Sequence, residues 1–231
     1  MNAANATDDK TIVKNYFNGT GFDRWRRIYG DGEVNKVQKD IRQGHQQTID
    51  TVFSWLEADG NLNQLSICDA GCGVGSLSIP LAQAGARVYG SDISEKMVTE
   101  AYRRAREAMR DTSNLTLMAQ DLELLSGRFH TVICLDVLIH YPESQMTETI
   151  AHLASLAESR LILSFAPKTP ALTVLKAIGS LFPGPSKATR AYPHKEAGIT
   201  RILQDNGFAI QRRSMTSTRF YYSLILEAVR R

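Results

Sequence analysis

Cysteine is scarce: Cys68, Cys72 and Cys134 are the only three in 231 residues. They sit in apolar or glycine-rich settings with neither a pairing pattern nor metal-ligand spacing. That excludes a disulfide framework and a zinc module, and it fits reduced thiols in the cytoplasm. No metal centre is expected. Long apolar runs are missing too, since none approaches the ~20 residues of a membrane span. The opening MNAANATDDK has neither the basic nor the apolar stretch of a secretory signal. A large excess of one charge is also lacking: 27 Lys and Arg against 24 Asp and Glu leave a net +3. That is too little for a nucleic-acid surface, although a small anionic substrate would suit it. No repeat or low-complexity tract argues for a solenoid or a linker. What remains is 43% hydrophobic and 22% charged, the balance of a cytoplasmic globular enzyme with one large domain and a core of its own.

Residues 1–10 are polar and read as a disordered tail. Residues 11–60 read as an N-terminal arm and helix. The arm mixes Tyr16, Phe17, Phe22, Trp25 and Tyr29 with arginines and glycines, without a sustained period. Over 34–58, apolar Val37, Ile41, Ile49, Val52, Phe53 and Leu56 recur at helical spacing, with a break expected near Gly44. From residue 61 onward short strands and helices alternate. Strands are expected over 65–70, 86–92, 115–121, 129–136 and 160–167, with helices between most of them, one capped by Ser94. The alternation predicts an α/β, Rossmann-like, doubly wound parallel sheet covered on both faces. Residues 168–194 lack the pattern and are too long for an ordinary connection. They are read as a substrate-covering insertion with a short helix over 172–182. A helix over 196–206 and two β-rich runs, 208–218 and 219–229, follow. The gap between those runs is too short for a crossover, so they should pair antiparallel.

The chemistry is concentrated in Asp69-Ala-Gly71-Cys72-Gly73-Val-Gly75, directly after a strand and before a helix. Glycines there let the chain turn sharply and bring bare backbone against a ligand. A dinucleotide fingerprint would read GxGxxG, but position 76 is Ser. Asp69 would repel a pyrophosphate and attract an ammonium, so the pattern favours S-adenosylmethionine as cofactor. Asp92 ends the second strand, where a carboxylate can accept both ribose hydroxyls. Asp121 and Leu122 end the third strand beside the expected adenine, and Asp136 ends the fourth. Successive strand ends of a doubly wound sheet line one crevice, so these positions should converge.

These residues resemble the class I S-adenosylmethionine-dependent methyltransferases over about 45–231. The resemblance implies a seven-stranded, mostly parallel sheet whose last hairpin brings strand seven antiparallel beside strands four and five. It places Asp69, Gly71, Cys72 and Gly73 beside the methionine moiety and Asp92, Ile93 and Met97 around the ribose and adenine. No Asn/Asp-Pro-Pro-Tyr/Phe sequence for amino-group transfer follows the fourth strand, which continues Asp136-Val-Leu-Ile-His140-Tyr141-Pro142. A carboxylate acceptor, ionised at pH 7, would need no base.

Beyond the core, YFNGTGFDRWRRIYG, LDVLIHYP and FPGPSKATRAYPH resemble the magnesium-protoporphyrin IX methyltransferase family of chlorophyll biosynthesis. That resemblance implies esterification of one propionate of magnesium protoporphyrin IX in a photosynthetic organism. It also implies contact with the large porphyrin-binding subunit of magnesium chelatase, and peripheral contact with a photosynthetic membrane is compatible with it. Candidate catalytic residues are His140 and Tyr29. Arg24, Arg26, Arg27 and Arg190 are candidates for the propionates. His45, His130, His152 and His194 have no comparable positional argument. A quinone-precursor phenol as acceptor, or a non-catalytic cofactor-binding scaffold, stays open at this point.

Overall fold

Seven apolar runs become strands in the computed structural model, which describes residues 3–169 and 191–231. They are β1 (Ser66–Ala70), β2 (Arg87–Asp92), β3 (Leu115–Ala119), β4 (Phe129–Cys134), β5 (Ala157–Phe165), β6 (Phe208–Ser217) and β7 (Tyr222–Arg230). One sheet contains them all, in the order β3-β2-β1-β4-β5-β7-β6. The first five pair in parallel, and β7 pairs antiparallel with both β5 and β6. Strand seven therefore lies between strands five and six, and strand four does not touch it.

Period-two alternation divides the core. Ile67, Ile133, Ile162 and Ile225 face one side of the sheet, and Cys68, Val132, Cys134, Leu161, Leu163, Leu224 and Leu226 the other. Each fully buried Leu or Ile is worth about 1.5–3 kcal/mol against exposure, so a one-residue slip in any central strand would be prohibitive. The isoleucine side is covered by α3 (Lys36–Ala58), α4 (Ser78–Gln83) and α5 (Glu95–Ala108), the other by α6 (Met146–Leu156) and α7 (Glu196–Asp205). Strand order reverses between β1 and β4, which opens a crevice at their carboxyl ends.

Two expectations change. The polar start is not a disordered tail: α1 runs Ala3–Asn18 and is followed by α2 (Phe22–Ile28). Lys10 ties this segment to the body by pairing with Asp121 and Glu123 across the crevice mouth. The helix over 34–58 does not break at Gly44. Asn35 caps α3 with a reciprocal Gln38 capping box, and the missing side chain of Gly44 leaves room for the Tyr221 ring. Much of the insertion, including residues 172–182 and Arg190, lies outside the described residues. Its ends are clipped together, with Lys168 N–H donating to the His194 carbonyl (2.7 Å) and His194 N–H to the Ala166 carbonyl (2.9 Å). The far end of α3 is pinned by charge: Arg160 and Arg212 both bridge Asp59, which ends the helix, to the fully buried Glu227 of β7.

Candidate active site

The glycine turn is tied to the neighbouring strand: Gly71 and Cys72 N–H both donate to the Ser91 carbonyl, at 2.7 and 2.8 Å. Gly71, Gly73 and Gly75 all have positive φ, at 92°, 53° and 81°, where a side chain would be strained. A Cβ on Gly73 would meet nothing within 4 Å, so that backbone faces open space. Gly73 N–H donates to Asp92 Oδ2 at 3.0 Å and Ser94 N–H to Asp92 Oδ1 at 2.8 Å. Burial pushes the Asp92 carboxyl up to about 6, only partly opposed by these two bonds.

A cavity of about 120 Å³ lies in this crevice. Eleven of the twelve candidate cofactor-binding and catalytic residues meet on its wall: Gly71, Cys72, Gly73, Asp92, Ile93, Met97, Asp121, Leu122, Asp136, Tyr29 and His140. Asp69 is the exception. It is buried beneath the turn, accepts the Ser78 hydroxyl at 2.5 Å, and is lifted to about 6, chiefly by burial. Ser78 is the first residue of α4, so the Asp69 carboxylate buttresses the turn against that helix. Burial pushes Asp121 up, yet hydrogen bonds with Glu123 and Lys10 hold it below the usual carboxylate range. A carboxylate expected beside an adenine thus already carries a lysine.

Asp136 follows β4 with a left-handed φ of 58°. Its carboxylate accepts from Tyr221 Oη at 2.8 and 2.9 Å, from Ser164 Oγ at 3.2 Å and from His45 Nδ1 at 2.9 Å. Burial opposes ionisation, but the His45, Tyr221 and Ser164 contacts hold Asp136 below the ordinary range. His140 closes a single 3-10 turn, Leu138–His140. Burial lowers its imidazole to about 4, and among the described residues its Nδ1 has no hydrogen-bond partner. Burial, reinforced by Asp136 and Asp92, pushes the Tyr29 phenol well up.

Three rings join the two histidines across the mouth. His45 and Tyr29 lie 4.3 Å apart between centroids, Tyr29 and Trp25 5.3 Å, Trp25 and Phe17 6.2 Å, and Phe17 and His140 5.7 Å. The α2 limb of this arch is held through its last carbonyls: Arg42 donates to those of Ile28 and Arg27, and Arg104 to those of Tyr29 and Arg26. The propionate arginines expected on α2 do not reach the wall. Arg26 pairs with Asp23, Arg27 binds the Asp23 carbonyl, and Arg24 lies over the Trp25 ring.

His45, Tyr221, Phe17 and Lys10 were not among the candidates. A signal for His45 exists in the sequence: it falls four residues after Ile41 and four before Ile49, on the buried stripe of α3. Nothing local marks Tyr221, whose partner Asp136 is 85 residues away.

A seven-stranded sheet with a reversed final strand and a glycine turn at its switch point is the class I methyltransferase fold. Its general methyltransferase-domain model matches residues 67–159, and the model for the magnesium-protoporphyrin IX methyltransferase C-terminus matches 134–230. Magnesium-protoporphyrin O-methyltransferase of Synechocystis sp. is 72% identical over 97% of this chain and 98% of its own length. The chloroplastic magnesium protoporphyrin IX methyltransferase of Arabidopsis thaliana is 54% identical over 96% of this chain and 71% of its own. The solved Synechocystis structure with bound SAH superposes at a TM-score of 0.90, with 70% identity, covering 96% of this chain and all of that one. The chain belongs to the magnesium-protoporphyrin IX methyltransferase family.

Proposed function

We propose that this protein transfers a methyl group from S-adenosylmethionine to one propionate carboxylate of magnesium protoporphyrin IX, a step of chlorophyll biosynthesis. The observation that carries this reading is the arch of five rings spanning a glycine-floored crevice with a histidine at each end. A flat macrocycle needs such aromatic walls. The bound cofactor supplies a methyl carbon on a sulfonium: the carboxylate oxygen bonds to that carbon as the carbon–sulfur bond breaks, and the electron pair stays on sulfur.

For the cofactor, Gly71 to Gly73 offer bare backbone, Asp92 acceptors for ribose hydroxyls, and Ile93, Met97 and Leu122 an apolar slot. For the acceptor, a carboxylate has no proton to lose at pH 7, so the protein's work is orientation and exclusion of water. His140, neutral at that pH, orients the porphyrin through its free nitrogen, and Tyr29 stacks beside it. Hand-over from the large porphyrin-binding subunit of magnesium chelatase and peripheral contact with a photosynthetic membrane are part of the same reading. Family resemblance supports the hand-over. Among the described residues no helix is long and apolar enough to cross a membrane.

Incubating the protein with both substrates should yield the monomethyl ester. Normal cofactor binding with no ester would defeat the proposal. His140→Ala should lower kcat by roughly tenfold to a hundredfold, the scale of lost positioning, while the Kd for S-adenosylmethionine stays within about twofold. A large loss of cofactor affinity would assign His140 to the other half of the site. Affinity should also depend on pH through Asp92. Above about 6 the carboxylate is ionised and accepts the ribose hydroxyls; below about 6 it takes a proton, and Kd should rise as pH falls. In Asp92→Asn affinity should be weaker throughout and most of that slope should vanish. An unchanged slope would put the titrating group elsewhere.

A further inference from the structure

The two cavity histidines differ in what stands behind them. His140 leans edge-on against Phe17, and its Nδ1 has no partner among the described residues. His45 Nδ1 is 2.9 Å from Asp136 Oδ2. An ionised carboxylate only accepts, so the proton in that contact belongs to Nδ1. Nε2 is then the nitrogen left for a ligand, and among the described residues it makes no hydrogen bond. The ring cannot swing away: Tyr29 covers one face at 4.3 Å, and Asp136 is held by Tyr221, Ser164 and Ser223. Asp136 also keeps a left-handed backbone at 58°, a strained conformation that persists in non-glycine residues where surrounding contacts over-determine it.

The rest of the wall is unfavourable to an anion. Asp92, Asp121 and Asp136 line it, Lys10 is paired with Asp121 and Glu123, and Arg24, Arg26 and Arg27 are off it. Of the described groups on the wall, His45 is the one whose one ring nitrogen is committed to a carboxylate while the other is left for a ligand.

We propose that His45 is the carboxylate anchor of the acceptor site: with Nδ1–H held by Asp136, the ring takes up a second proton from solvent as the porphyrin binds, and the resulting Nε2–H donates to one propionate oxygen and leaves the other free to meet the methyl carbon. Asp136 is a positioning residue here, acting through His45 by holding its Nδ1–H and with it the orientation of the ring. That replaces the cofactor contact expected of Asp136 from its place after β4. The inference rests on the porphyrin-carboxylate reading above and deepens it.

The test compares magnesium protoporphyrin with its dimethyl ester, which keeps the plate and removes both charges. Binding is followed by fluorescence quenching on the full chain loaded with S-adenosylhomocysteine, so no turnover intervenes. Wild type should bind the diacid roughly tenfold or more tighter than the diester, the scale of one hydrogen bond to a charged group. His45→Ala and the size-conserving His45→Gln should bind the two alike, with KM for the diacid raised. His45→Lys, which restores a cation, should recover much of the preference, as no purely structural role would predict. Variants that keep the wild-type preference overturn the anchor, as does a wild type that methylates the porphyrin yet binds acid and ester equally. A wild type that neither binds nor methylates the porphyrin defeats the function itself.

Discussion

Gly71→Ala is expected to lower S-adenosylmethionine affinity by roughly two to three orders of magnitude while leaving a folded protein. A Cβ at this position would lie 2.0 Å from Val137 Cγ2, and the backbone φ is +92°. The contact cannot be relieved cheaply on the Val137 side, because the preceding residue is Asp136, fixed by its own network. Left-handed strain of about 1–2 kcal/mol adds to overpacking of about 1–3 kcal/mol. The easier escape is for the turn to lift away from β4. That movement stretches the bonds from Gly71 and Cys72 to Ser91 and carries Gly73 N–H off Asp92. The total lies below the 5–15 kcal/mol that holds an ordinary domain together, so the loss should concentrate in the cradle. Calorimetric titration with S-adenosylmethionine, alongside far-ultraviolet circular dichroism, checks this. A folded variant whose affinity stays within about fivefold of wild type would show that the turn is not the cofactor's floor.

Much of this arrangement is readable from the chain, because it is local. Alternating aliphatics mark β1, β4, β5 and β7, glycine spacing marks the turn, and Ser94 does cap α5, accepting Met97 N–H at 3.3 Å. Residues that end parallel strands are bound to share a crevice, which is why the candidates that follow β1, β2, β3 and β4 meet. The hidden features depend on partners distant in sequence. Lys10 finds Asp121 and Glu123 more than a hundred residues on, which organises a segment with almost nothing apolar to bury. His45 acquires its character from Asp136, 91 residues away. Asp69 and Asp136 are legible as acidic strand ends, but which carboxylate faces the cavity and which is consumed by protein donors is decided by Ser78, Tyr221 and Ser164. The arginines of α2 mislead for the same reason: composition shows cations near aromatics, while the helix turns them toward Asp23 and the Trp25 face.

Gly44 is the position where local and long-range reasoning give opposite signs. In a helix interior, replacing glycine by alanine ordinarily stabilises by about 0.5–1 kcal/mol, and Gly44 lies well inside α3. Its Cβ, however, would stand 2.4 Å from Tyr221 Cδ1, 2.7 Å from Cγ and 2.8 Å from Cβ, so the ring and its root would both have to move. Tyr221 is anchored at its far end by Asp136 and Thr48. Overpacking of about 1–3 kcal/mol combines with a weakened bond to a charged group, about 1.5–3 kcal/mol, and helix propensity returns only part of that. Gly44→Ala should therefore destabilise by about 2–4 kcal/mol, lowering Tm by roughly 5–15 °C for a chain of this size. Gly198 in α7 supplies the control, since a Cβ there meets nothing within 4 Å. Gly198→Ala should stabilise by about 0.4–1 kcal/mol. Because Tyr221 braces Asp136 and Asp136 braces His45, Gly44→Ala should also weaken porphyrin binding more than cofactor binding. Thermal unfolding of both variants with ligand titrations decides the matter. If alanine at 44 stabilises as it does at 198, α3 and β7 are not locked through Tyr221, and the polar network under the acceptor site does not depend on that contact.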